Sequence, residues 1–130
     1  MTLFAHEESR DGAQVVVGAR GQDRVALRGV LREPEVGAWL GPLFRKVHDA
    51  AVAAQVARVA LDLRDLEYGN AAVWKCLVFW LKLAREDAQA RYKLVILTAR
   101  KHRWQEIGMT ALRVFGGDRL EVSVEEGAGG

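Results

Sequence analysis

The sequence predicts an α/β domain in which helices pack on a mixed β-sheet, in the order ββαβαβαβ. Three observations predict the class. Residues 56–63 (VARVALDL) and 93–98 (KLVILT) are short runs rich in leucine and β-branched residues, the composition of parallel strands covered on both faces. Residues 70–88 between them carry a helical pattern, and a strand, a helix and a strand in succession form a right-handed crossover with the two strands parallel. The third observation is size and composition: 130 residues, half of them apolar and 28% charged, suit one folded domain with its own core.

The elements follow in order. Residues 1–12 are expected to form an N-terminal extension and 13–125 the domain, with 126–130 a Gly-rich flexible tail. Val15, Val16 and Val17, then the turn-like Ala19-Arg20-Gly21-Gln22-Asp23, then alternation through Val25, Leu27, Gly29 and Leu31 predict a β-hairpin over 14–31. Val36, Trp39, Leu40, Leu43, Phe44, Val47 and Ala51 recur at helical spacing and predict a first helix over about 35–54. Pro42 either kinks this helix or, with Gly41, marks its true start. A third helix over 103–115 ends at Gly116-Gly117, where glycine takes a left-handed cap, and Leu120, Val122 and Val124 alternate as an edge strand.

Several kinds of chemistry find little support. Nineteen Lys and Arg against seventeen Asp and Glu leave +2, too small a balance to imply nucleic acid or a membrane surface. One cysteine, Cys76, excludes an intrachain disulfide; without a nearby histidine or a helix N-terminus it reads as a structural thiol. His6, His48 and His102 fall in three elements without ligand spacing, so they are expected to be exposed histidines, with no metal and no cofactor. Asp62, Asp65 and Glu67 read as turn carboxylates. Arg100-Lys101-His102-Arg103-Trp104 has the makings of a phosphate contact, but no basic helix face accompanies it; a solvated loop with Trp104 turned inward is the preferred reading. The opening MTLFAHEESRDG lacks the basic start and apolar core of a signal peptide, and no apolar run approaches the roughly 20 residues of a membrane span. A cytoplasmic location without membrane insertion is the expectation.

Asp62-Leu63, then Leu66-Glu67-Tyr68, then Asn70-Ala71-Ala72-Val73 run from a buried strand through a turn into a helix. This resembles the STAS domain, the fold of bacterial anti-sigma factor antagonists, in which a strand ending in Asp-Leu and an aromatic turn precede Asp-Ser-Ser/Ala-Gly-Leu at a helix start. Arg24 to Leu31 and Ala111 to Leu120 are similar to the family's second strand and to its third helix with the following strand, so the likeness covers about 110 residues. It implies a non-enzymatic protein-interaction module in a bacterial regulatory or signalling assembly, with a partner of anti-sigma factor, kinase or ATPase type. An accessory subunit of an ABC-type membrane transport complex and a small-molecule or lipid-binding module are the alternatives. The chain departs from the family in two places. Ala71 stands where the family's phosphate-accepting hydroxyl is expected, with Ala72 beside it, so no phospho-switch is expected. The family's last helix is absent, and a homodimer would cover the surface left bare.

Stepping 100° per residue along the second helix gathers Val73, Leu77, Trp80, Leu81 and Ala84 on one side and Lys75, Lys82 and Glu86 on the other. Trp80 is therefore core. Val78 and Phe79 flank the lysine stripe, Ala71 continues it, and Trp74 lies on its margin. The stripe is either the only wet strip of an embedded helix or a contact surface. With the docking end that the resemblance implies, it gives the expected partner-binding set: Tyr68, Asn70, Ala71, Trp74, Lys75, Val78 and Lys82.

Overall fold

The computed structural model describes residues 3–10 and 12–125, so the tail expected over 126–130 lies outside the described residues. A seven-stranded mixed sheet carries three helices. The expected hairpin is present: β2 (Ala13–Val17) pairs antiparallel with β3 (Arg24–Leu31). Helix α1 (Val36–Ala54) leads to β4 (Arg58–Asp62), β5 (Leu66–Gly69) and α2 (Ala71–Glu86). Then come β6 (Lys93–Ala99), α3 (Arg103–Gly116) and the edge strand β7 (Leu120–Glu125). β3, β4, β6 and β7 are parallel neighbours in that order.

Two strands go beyond the predicted order. β1 (His6–Arg10) pairs antiparallel with β2, in the segment expected to be an extension. Its sequence, HEESR, lacks apolar alternation because it is an edge strand, where charge protects unpaired backbone from association. The Arg10 guanidinium lies over the Trp39 ring, 4.3 Å from its centroid, and ties this edge to α1. β5 occupies residues read as a turn and pairs with the last residues of β3. Four residues are too short to show periodicity, and their ladder partners lie far upstream. Gly29 makes the branching of β3 possible. It has φ +87° at the register shift, and a Cβ there would strike the Gly12 carbonyl. β3 thereby pairs with β4 through its first half and with β5 through its second.

Right-handed crossovers that advance one strand at a time in one direction place every helix on the same face of the sheet. Accordingly α1 packs on α2, and α2 on α3. The core lies between this layer and the sheet, where Val25, Leu27, Leu61, Leu94 and Ile96 meet Leu40, Phe44, Leu77, Trp80 and Leu112. Trp80 is fully buried as expected, its ring 4.5 Å from that of Phe44. No described helix covers the opposite face. There the register aligns Arg24, Ala60, Val95 and Glu121, and beside them Ala26, Asp62, Leu97 and Ser123. Arg24–Asp62 and Arg58–Glu121 ion pairs, each at 3.7 Å, cross this face.

Pro42 lies inside a continuous α1, so the helix begins before it. The amide hydrogen that proline lacks would have bonded the Ala38 carbonyl on the exposed side of the helix. α3 stops at the glycine pair as expected, but Gly117, at φ +52° and ψ −130°, does not take the left-handed helical conformation expected of the cap.

Candidate functional site: the outer face of α2

The turn into α2 is built by polar side chains. Asp62 accepts the Arg64 backbone N–H at 3.0 Å, and both its oxygens take the Arg64 guanidinium at 2.9 Å. Burial pushes this carboxyl up, but the Arg64 hydrogen bonds and the charges of Arg64 and Arg24 outweigh it and hold Asp62 below its ordinary range. The start of α3 clamps the same turn from the other side. His102 Nε2 donates to the Arg64 carbonyl at 3.1 Å and Trp104 Nε1 to the Glu67 carbonyl at 2.7 Å. The buried Gln105 amide donates to the Leu63 and Leu66 carbonyls at 2.7 and 3.1 Å, and accepts the Ala99 N–H at 3.2 Å. The run beginning at Arg100 thus contributes structural polar groups to the turn. Asn70 caps α2 by accepting the Ala72 N–H at 3.0 Å, while its own amide donates to the Glu33 carbonyl at 3.0 Å.

The structure spreads the expected partner-binding residues over three exposures. Ala71, Lys75 and Lys82 are exposed; Val78 is 36% and Tyr68 45% exposed; Asn70 and Trp74 are half-buried. On the α3 side Trp74 meets Trp104 edge-on at 5.6 Å, and Tyr68 stands 6.0 Å from Trp104. The Trp74 indole also rests directly on Gly108, whose missing side chain leaves room for the ring. Trp74 is therefore a wall of this end and does not project from it.

On the α1 side lies a groove of about 560 Å³ lined by Gly37, Gly41, Pro42, Arg45, Ala72, Lys75, Cys76 and Phe79. Only Lys75 among these was in the expected set. Gly37 faces Ala72 and Gly41 faces Cys76, pairs one turn apart on each helix, so two rows of small side chains form the seam and leave a shallow valley above it. The i, i+4 spacing of small residues in both helices was the available signal. Burial pushes the Cys76 thiol up, which suits the structural role read for it.

The expectation that all three histidines are exposed fails: His6 and His102 are half-buried, and His48 is 2% exposed. Trp80 Nε1 donates to the Tyr92 hydroxyl at 2.8 Å, that hydroxyl donates to His48 Nδ1 at 2.6 Å, and His48 Nε2 donates to Asp87 at 2.8 Å. The chain of bonds satisfies the polar atoms of the buried Trp80, Tyr92 and His48 and links α1, α2 and the loop leading into β6. Burial drives the Tyr92 hydroxyl well above its ordinary range, keeping it protonated. Helical spacing shows which face His48 occupies, but its partners lie 39 and 44 residues away, beyond the reach of a local pattern.

Among the described residues no group of three or more His, Cys, Asp or Glu is placed to hold a metal ion, and no helix is long and apolar enough to cross a membrane. The outer face of α2 offers apolar side chains framed by cations, which is chemistry for association. Comparison with family models, curated proteins and solved structures finds no match to this chain.

Proposed function

We propose that this chain is a non-enzymatic, STAS-like protein-interaction module of a bacterial regulatory or signalling assembly, acting in the cytoplasm and without a phospho-switch, and that the outer face of α2 is its docking surface. One observation carries the reading: a continuous stripe of exposed residues follows the capped start of α2, comprising Ala71, Lys75, Val78, Phe79 and Lys82, with exposed Tyr68 at its head. Large apolar side chains left in solvent beside lysines have the composition of an interface centre with a cationic rim. Such a rim favours an acidic partner and makes the association rate fall with salt. Ala71 lies at the middle of the docking end, where the resemblance has a phosphate acceptor, so binding is constitutive in this reading.

The test is affinity capture on the full chain beside its Ala71→Glu variant. The expected result is a partner of anti-sigma factor, kinase or ATPase type, retained by the parent chain and lost from the variant, with unchanged thermal melting. Equal recovery by both removes this surface from consideration.

A further inference from the structure

The groove between α1 and α2 carries a more specific reading, which rests on the docking function above. We infer that it seats one helix of the partner, an amphipathic helix with small and apolar residues along its buried stripe and carboxylates beside that stripe at the level of Arg45 and Lys75.

Shape supports this occupant. α1 and α2 run in the same direction, since the facing pairs Gly37–Ala72 and Gly41–Cys76 advance together along both helices. A valley over two parallel helices whose seam is floored by glycine, alanine and cysteine admits a third helix at close approach. From Gly37 to Arg45 the valley extends about 12 Å, at 1.5 Å per residue, or roughly two helical turns, and the second depression that Asp49 lines continues it by about one more.

Charge supports it as well. No acid lines the apolar part of the groove, while Arg45 on α1 and Lys75 on α2 stand at its walls. Towards the helix C-termini the sign reverses: a second depression is lined by Asp49, Glu86 and Asp87, with Arg45 at the junction paired to Asp49 at 3.6 Å. An occupant is thereby directed, with its acidic part over Arg45 and Lys75 and a basic residue towards Asp49 and Glu86.

The test selects helical peptides, about three turns long with randomised surface positions, against the full chain and titrates them into 15N-labelled protein. The expected peptides share an apolar stripe flanked by Asp or Glu and shift the amides of Gly37, Gly41 and Cys76. Their affinity falls at least tenfold on the Arg45→Glu, Lys75→Glu double variant and returns when the peptide acids are replaced by lysine. Gly37→Leu with Gly41→Leu, which fills the valley, abolishes binding. Peptides that shift Tyr68 and Trp74 but leave Gly41 unmoved overturn this inference and preserve the docking reading. Selection of no peptide at either end overturns both. Sodium laurate that shifts the groove amides below its micellar concentration, where no peptide does, assigns the groove to an acyl chain and also overturns the inference.

Discussion

The two sides of α2 are built on the same device, a glycine on a neighbouring helix, and use it in opposite ways. On the α3 side the space above Gly108 is occupied by the Trp74 ring, which Trp104 closes from the edge. On the α1 side, a Cβ at Gly41 or Gly37 would meet only Cys76 Sγ at 3.9 Å or Ala72 Cβ at 4.0 Å, and the space above is open. The first glycine completes a packed contact; the second leaves a valley. A small residue in a helix thus carries no fixed meaning until the opposing side chain is known.

The comparison predicts effects of opposite sign. Trp74→Ala, which empties the notch over Gly108 and strips the edge contact from Trp104, should destabilise the fold by about 2–4 kcal/mol, near the low end for a large aromatic because Trp74 is only half-buried. Denaturant unfolding reads this directly; a loss below about 1 kcal/mol would mean that the α3 side is not a packed contact. Gly108→Ala drives a methyl into the same ring and should cost about 1–3 kcal/mol. Gly41→Ala meets ordinary van der Waals distances and lowers unfolded-state freedom, so it should stabilise by about 0.5–1 kcal/mol. If both glycine variants shift the melting temperature in the same direction, the contrast fails.

The smallest effect concerns the turn that positions α2. Asp62 is held below its ordinary pKa of 3.8, so its native carboxylate contributes stability that is complete above about pH 4. That contribution is lost as the pH falls through the lower folded-state value. Asp62→Asn should therefore flatten the acid limb of the stability–pH curve below pH 4 and lower stability at neutral pH. An acid limb identical in parent and variant would show that the Arg64 pairing carries no net free energy.

The lysine stripe of α2 was legible because helical period and charge are local: Lys75 and Lys82 lie where stepping 100° per residue puts them, and Trp80 lies opposite, in the core. Asn70 and Ala71 were legible for the same reason, as a cap and a helix start adjacent in sequence, whereas Tyr68 was read as part of a turn and stands exposed on β5. The groove was not. It requires Gly37 and Gly41 to face Ala72 and Cys76 across 35 residues of chain, a pairing that only the packing of α1 on α2 determines.

What the sequence by itself determined is the set of features carried by local periodicity and backbone stereochemistry: the hairpin, the three helices, the parallel strands around a crossover, and the stop at Gly117. Tertiary structure decided the features that depend on partners distant in the chain. A charged segment became the edge strand β1 because β2 offered a free ladder, and a four-residue turn became β5 because Gly29 bends β3 towards it. His48 became a buried hydrogen-bonded residue because Tyr92 and Asp87 meet it across the helix layer. The physical reason is common to all three. Free backbone groups and buried polar atoms must find hydrogen bonds, and which distant group supplies them is settled only when the chain is compact.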